Sequence, residues 1–345
     1  MVKFSLHHAT NFSNLGFGRN EVLKSIKISE ELGYDMNSVM CHLNWFPNNA
    51  EIFSSWIMAS EIAMNTKKPE VGIVVTDVFR THPVQTALNA LHLQRLSENR
   101  FVLGLGAGEG ANLTNFGIDW ERSVSHLEEA VQVIKLLFES SPKNKVNFDG
   151  DYFKLDQIFL QFPIEKPPKL WLAAGSPRTL KITAKYADGW IPIGCTPKLY
   201  KEQLKMVDSE GRNIEHAYNM MISISKKDPE KSKKLMDVVA CVQSCRPEIL
   251  KSYNLEIPEK VDFIKHFKLP LKNQKSHTSK AMSFAQQNIP QDVRMECVLA
   301  GSPDEIISQI DKWVDAGCEH FCLQFFGDYW ESLELFANEV IPHFK

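Results

Sequence analysis

Three kinds of residue in this 345-residue sequence could do chemistry, and each stands where a short apolar run stops. The most informative run is Phe101-Val-Leu-Gly104-Leu-Gly106-Ala107-Gly108-Glu109-Gly110. Glycine has no Cβ, so a flat ring can lie against such a backbone and take hydrogen bonds from it. Glu109 then places a carboxylate at the rim. In the run Ser38-Val-Met-Cys41-His42-Leu-Asn-Trp45, His42 offers an imidazole that exchanges a proton near neutral pH. One acid and one base across a flat ring suit hydride transfer coupled to proton transfer. Plainer readings exist: glycines kept for packing, and a histidine kept for structure. Gly106-x-Gly108-x-x-Ala111 also fits a dinucleotide fingerprint formally. That fingerprint belongs on a first strand that opens a helix, whereas this run is a fourth strand and Asn112-Leu-Thr-Asn is not expected to open one.

The third kind is Ala174-Gly175-Ser176-Pro177-Arg178-Thr179. Ser176 suits an N-cap and Pro177 a first helical residue. Ser302-Pro303-Asp304-Glu305 starts a helix in the same way but carries its own acids in the first turn. At Ser176 no acid answers the helix dipole, so free N–H groups and Arg178 are expected to face an incoming phosphate. A simple capped helix is the alternative. His7 and His8 are adjacent in a strand and point to opposite faces, so at most one serves a site. Joined with His42 and Asp77 they lack the tight spacing of a metal centre, and no metal is expected. The seven cysteines are odd in number and loosely spaced, which reads as reduced thiols, mostly buried.

Elements that could position these groups alternate along the chain. Strand-like runs fall at 2–6, 38–41, 71–76, 101–105, 170–174, 190–193, 220–225 and 321–326. Helical periodicity lies between them, at 21–32, 52–64, 84–96, 121–139, 179–187, 199–207, 304–316 and 331–340. Asp149-Gly150 within 148–155 signals a hairpin. Eight strands alternating with helices imply an α/β fold of parallel strands, and eight is the number that closes a (β/α)8 TIM barrel. An open doubly wound sheet is the alternative. The expected organisation is a single domain over 1–345 with insertions at about 141–169 and 229–300, the latter helical but irregular with lysine-rich loops near 268–280. Chemistry then belongs at the C-terminal strand ends.

With 43% apolar and 23% charged residues, the composition is globular and excludes disorder. A net charge of −3 gives no reason to bind nucleic acid. No apolar run reaches the roughly 18 residues of a membrane span. The N-terminus lacks a signal-peptide stretch, so a cytoplasmic protein is expected.

Gly104-Leu-Gly-Ala-Gly-Glu109 with Asn112 resembles the coenzyme F420-dependent branch of the bacterial-luciferase-like superfamily. So do Phe79-Arg-Thr-His-Pro83, Phe148-Asp-Gly-Asp-Tyr-Phe-Lys-Leu155, Ala173-Ala-Gly-Ser-Pro177, Ala187-Asp-Gly-Trp190 and Ser302-Pro-Asp-Glu305, in the family's order. The resemblance covers nearly the whole chain except about 230–290. It implies a TIM barrel, usually a homodimer, that binds F420, with FMN as the alternative cofactor, and acts on a small-molecule substrate. By similarity to F420-dependent sugar-phosphate dehydrogenases, His42 is the proton donor and Glu109 the general acid/base, while Trp45 lies over the ring. Cys41, Thr76, Ala107, Gly108 and Asn112 correspond to positions around the deazaflavin and its ribityl chain. Gly175, Ser176, Arg178 and Thr179 correspond to the phosphate site. Ile73-Val74 corresponds to a non-prolyl cis peptide that backs the ring. Cys41 replaces the family's usual aspartate. Glu296 and Cys195-Thr196 stand where sugar-phosphate members carry basic residues, which disfavours a sugar phosphate. Methylene-tetrahydromethanopterin reductases are close relatives, but their first strand carries a glutamate where His7-His8 stand here.

Overall fold

A computed structural model describes residues 1–8, 18–44, 52–256 and 261–345 of the chain. Its strands are β1 (Lys3–His8), β2 (Met36–Val39), β3 (Glu70–Asp77), β4 (Phe101–Gly106), β5 (Val146–Asp149), β6 (Lys154–Ile158), β7 (Lys169–Leu172), β8 (Gly189–Trp190), β9 (Glu215–Ile224), β10 (Leu299–Gly301) and β11 (His320–Phe325). The parallel order β9-β11-β1-β2-β3-β4-β7-β8 closes through β8 against β9, with Gly189 level with Glu215. This closure gives the (β/α)8 barrel and excludes the open sheet.

Alternation assigns the faces. Phe4, Leu6, Val39, Ile73, Leu103 and Leu105 pack outward against the helices. A smaller inner layer is built from Met36, Val74, Val102, Trp171, Ile191, Ala217 and Cys322. At the N-terminal mouth the inward positions are ionic. Lys3 Nζ lies 2.6 Å from Glu215 Oε1, and Lys169 Nζ bridges Glu70 (2.7 Å) and Glu215 Oε2 (3.0 Å). The buried His320 ring holds Glu215 Oε1 at 2.9 Å on one nitrogen and Ser5 Oγ on the other.

Burial alone would raise the pKa of Glu215. The His320 hydrogen bond and charge, with Lys3 and Lys169, hold it instead well below the ordinary 4.5. A depressed carboxylate stabilises the fold fully above its unfolded value and loses that contribution as pH falls through the native one. The urea-midpoint difference between wild type and Glu215→Gln is therefore expected to be constant above about pH 5 and to shrink below it. A difference that stays constant down to about pH 3 would remove this linkage.

Two local features depart from the sequence reading. β10 is an additional strand. It pairs parallel with residues Ile222–Ile224 of β9, on the edge opposite β11. Residues 268–280, read as lysine-rich loop, enter an 18-residue helix, Leu271–Asn288. Its buried stripe is Gln274, His277, Ala281 and Ala285, so polar side chains at two stripe positions hid the helical period. Ala281 and Ala285 join Cys241, Cys245, Leu250, Val261, Ile289 and Val293 in a second small core within residues 229–300. The hairpin expected at 148–155 forms as β5–β6, and its turn N–H groups at Asp151, Tyr152 and Phe153 are accepted by the Glu129 carboxylate.

The cysteines are all free thiols, six buried and Cys41 half-buried. No helix of the described residues is long and apolar enough to cross a membrane.

Candidate active site

The C-terminal end of β2 delivers Cys41 and His42, that of β3 delivers Thr76, Asp77 and Arg80, and that of β4 delivers Ala107, Gly108 and Glu109. The structure brings His42 and Glu109 together, with Nε2 3.6 Å from Oε2 and side chains 19% and 14% exposed. Trp45 lies outside the described residues. The His42 pKa is lowered from 6.5, chiefly by burial; Glu109 pulls it up, Arg80 pushes it down and Asp77 pulls it up. His42 is thus a neutral imidazole near pH 7.

Asn112 ties the pair together. Its Oδ1 accepts the N–H groups of Leu43 (2.6 Å) and Asn44 (2.9 Å), and its Nδ2 donates to Glu109 Oε2 at 3.0 Å. Asn112 therefore bridges the His42 loop to the carboxylate. It can do so because residues Gly110–Leu113 form one helical turn after all, followed by a 3₁₀ turn at Thr114–Phe116. That turn stacks Asn112 back over Glu109 at the i+3 spacing. The turn follows the fourth strand, so the dinucleotide reading still fails.

The glycines of β4 do a different job from the one expected. A Cβ on Gly104 would stand 2.8 Å from both the Ile73 carbonyl oxygen and Val75 Cγ1. A Cβ on Gly106 would stand 3.1 Å from Val75 Cγ2. The inner faces of these glycines thus receive β3, and the valines there face the barrel interior in their place. The non-prolyl cis peptide lies between Val74 and Val75, one bond beyond the expected Ile73-Val74. Ile73 still pairs in regular register with Leu103, and the register shifts only between Ile73 and Thr76, which places the irregularity later. Gly108, at φ +87°, is a backbone position that side chains rarely adopt. The neighbouring Ala107 carbonyl accepts the Trp120 indole N–H at 2.6 Å.

At Ser176 the expectation of open N–H groups needs correction. Ser176 Oγ accepts the Thr179 N–H at 3.3 Å, and Thr179 Oγ1 accepts those of Gly175 (3.2 Å) and Ser176 (3.0 Å). Thr179 completes the capping box that Glu305 completes at Ser302. An anion here would exchange with two hydroxyls, and no carboxylate stands in the first turn. Arg178 points to Glu128 at 2.9 Å.

Reasoning from sequence missed several residues around these groups. Arg246, from the insertion, is 2% exposed and donates to the carbonyls of Gly175 (3.0 Å), Ile193 (3.0 Å) and Gly194 (3.3 Å). Gln274 reaches Glu109 Oε1 at 3.4 Å, and the Gly110 N–H is accepted by the Phe267 carbonyl at 2.7 Å. No local signal marks these contacts, because each joins segments far apart in sequence. His7 and His8 diverge as expected. His7 faces inward with Nδ1 2.8 Å from Ser38 Oγ, and His8 Nε2 meets Asn37 Oδ1 at 2.9 Å. Among the described residues no group of three or more His, Cys, Asp or Glu is placed to hold a metal ion.

A family model described as luciferase-like monooxygenase matches residues 3–320. Phthiodiolone/phenolphthiodiolone dimycocerosates ketoreductase of Mycobacterium tuberculosis is 28% identical over 337 residues, covering 94% of this chain and 86% of that protein. Among solved structures, an F420-dependent secondary alcohol dehydrogenase in complex with an F420-acetone adduct superposes with a TM-score of 0.80 at 23% identity, covering 100% of this chain and 99% of that one. The coenzyme F420-dependent tetrahydromethanopterin reductase of Methanopyrus kandleri gives 0.79 at 21% identity, with the same coverages. At such identities the structural likeness speaks for the barrel.

Proposed function

The chain belongs to the luciferase-like monooxygenase family, and on that premise we propose that it is a coenzyme F420-dependent oxidoreductase interconverting a ketone and a secondary alcohol. The observation that carries this reading is the imidazole–carboxylate pair, His42 Nε2 and Glu109 Oε2 3.6 Å apart, at the C-terminal mouth. Its likeness to a ketoreductase over 94% of the chain supports the carbonyl substrate.

The residues present fit a polar-edged flat ring. His7 Nε2, Asn219 Oδ1 and Gln324 Oε1 are buried on inward-facing positions and carry no hydrogen-bond partner among the described residues. Such atoms are costly to leave unmet. Val74, Val75, Ala107 and Gly108 would back the ring. Thr76 and Cys41 would flank it, and Gly175, Ser176, Arg178 and Thr179 would take its phosphate. When bound, F420 supplies the two-electron hydride acceptor or donor.

The chain's own residues manage the proton. In alcohol oxidation neutral His42 would take the hydroxyl proton, while the bound cofactor would supply the two-electron acceptor that the carbinol carbon needs. Glu109 stabilises the resulting imidazolium across 3.6 Å. In ketone reduction His42 would first take a proton from solvent and then give it to the carbonyl oxygen. Asn112 keeps both partners in place throughout.

The test is a pair of titrations on purified protein, followed by a ketone and alcohol screen read by F420 absorbance. F420 fluorescence quenching is expected at micromolar concentration, with FMN at least about tenfold weaker. Tighter binding of FMN, together with substrate-dependent oxygen consumption, would replace this reading with a flavin monooxygenase.

A further inference from the structure

Beyond Glu109 and Asn112, the His42 segment is engaged by Arg80. Asp77 Oδ1 accepts the N–H groups of Phe79 and Arg80, each at 2.9 Å, which folds the chain back at the end of β3. Asp77 Oδ2 accepts Arg80 Nε, so the guanidinium is held in one orientation. Its Nη2 then crosses to the end of β2 and donates to the Cys41 carbonyl at 2.6 Å, with Cys41 Sγ at 3.3 Å. That carbonyl belongs to the peptide unit that carries the His42 nitrogen. The side chain of Arg80 is 14% exposed. In place of a second carboxylate the guanidinium meets a thiol, so Asp77 is its one anionic partner among the described residues.

We propose that Arg80 is the positioning residue of His42: its planar fork fixes the Cys41–His42 peptide, and its fixed cation stands opposite Glu109 and Asp77 around the ring. This rests on the reading that His42 carries the proton. The groups facing His42 include Glu109 from β4, Asp77 and Arg80 from β3, and His7 from β1. Glu109 and Asp77 draw a proton onto the ring, and Arg80 is the fixed cation that opposes them. His7, pushed down to about 3 by burial and then by His8 and His42, is uncharged near neutral pH and adds no competing charge. An arginine suits both tasks, since it stays charged and its fork has fixed geometry.

The experiment separates charge from geometry and does not depend on turnover alone. The His42 ring is titrated by NMR in cofactor-free protein, with His42→Asn identifying its signal. Arg80→Gln is expected to raise the His42 midpoint by roughly half to one pH unit. Arg80→Lys keeps the charge but loses the fork, so its midpoint is expected to stay near wild type while kcat falls about tenfold. An unmoved midpoint in Arg80→Gln, or wild-type kcat in Arg80→Lys, overturns the proposal. Should the midpoint shift while the wild-type protein reduces no ketone with F420, the positioning role of Arg80 stands and the functional reading falls.

Discussion

Glu109→Gln is expected to lower kcat for ketone reduction by about 10²- to 10⁴-fold, the usual worth of a positioned acid–base group. The substitution keeps the shape of the side chain and removes its charge. The new amide oxygen can still accept from Asn112 Nδ2, as Oε2 now does at 3.0 Å, but its NH2 would then face the Gln274 donor that stands 3.4 Å from Oε1. His42→Asn is expected to fall in the same range. Because the two groups act as one unit across 3.6 Å, the double variant is expected to lose little more than either single one. F420 affinity is expected to change by less than about threefold in each, since a proton-transfer group contributes to the reaction more than to ground-state binding. Stopped-flow reduction at saturating F420, beside fluorescence titration, measures both quantities. Full activity in both variants would show that the proton travels by another route.

The largest effect on stability is expected at Arg246. Its guanidinium is enclosed among the carbonyls of Gly175, Ile193 and Gly194, with Cys195 Sγ at 3.6 Å and the half-exposed Glu248 at 3.1 Å. Arg246→Leu would fill part of the space but take the guanidinium donor from the Ile193 and Gly194 carbonyls and one of two donors from the Gly175 carbonyl. Each unmet group costs about 1–3 kcal/mol, so a loss of roughly 3–5 kcal/mol is expected. Urea denaturation monitored by tryptophan fluorescence measures it, and a loss under about 1 kcal/mol would mean that water replaces the guanidinium without penalty. The site should feel the change too. Arg246 joins the insertion to the turn before Ser176, and the Gly175 carbonyl that it binds also accepts Gln203 Nε2 at 3.0 Å. Weaker cofactor binding is therefore expected alongside the lower stability.

What the sequence determined by itself is local in physical origin. β-branched and apolar runs alternating with helical periodicity specified eight parallel strands, and strand alternation sent His7 and His8 to opposite faces. The Ser-Pro starts at 176 and 302 specified capped helices because their hydrogen bonds close within four residues. The count of strands and the rule that barrel chemistry gathers at their C-terminal ends were enough to put His42 and Glu109 on one short list. Tertiary structure decided whatever depends on two distant segments meeting. The sequence showed glycines at 104 and 106, but only the approach of β3 reveals that Val74 and Val75 take up the space they leave. The family resemblance gave Asn112 as a cofactor contact, and its bonds to Leu43 and Asn44, nearly seventy residues away, left no sign in the sequence. Arg246 and Gln274 carried no periodic or motif signal, and Arg80 stood in the Phe79-Arg-Thr-His-Pro83 motif without any sign of what it reaches, since a single long polar side chain can reach any of several neighbours. Which neighbour it reaches is fixed by the closure of the barrel and the docking of the insertion, and neither event leaves a trace in local spacing.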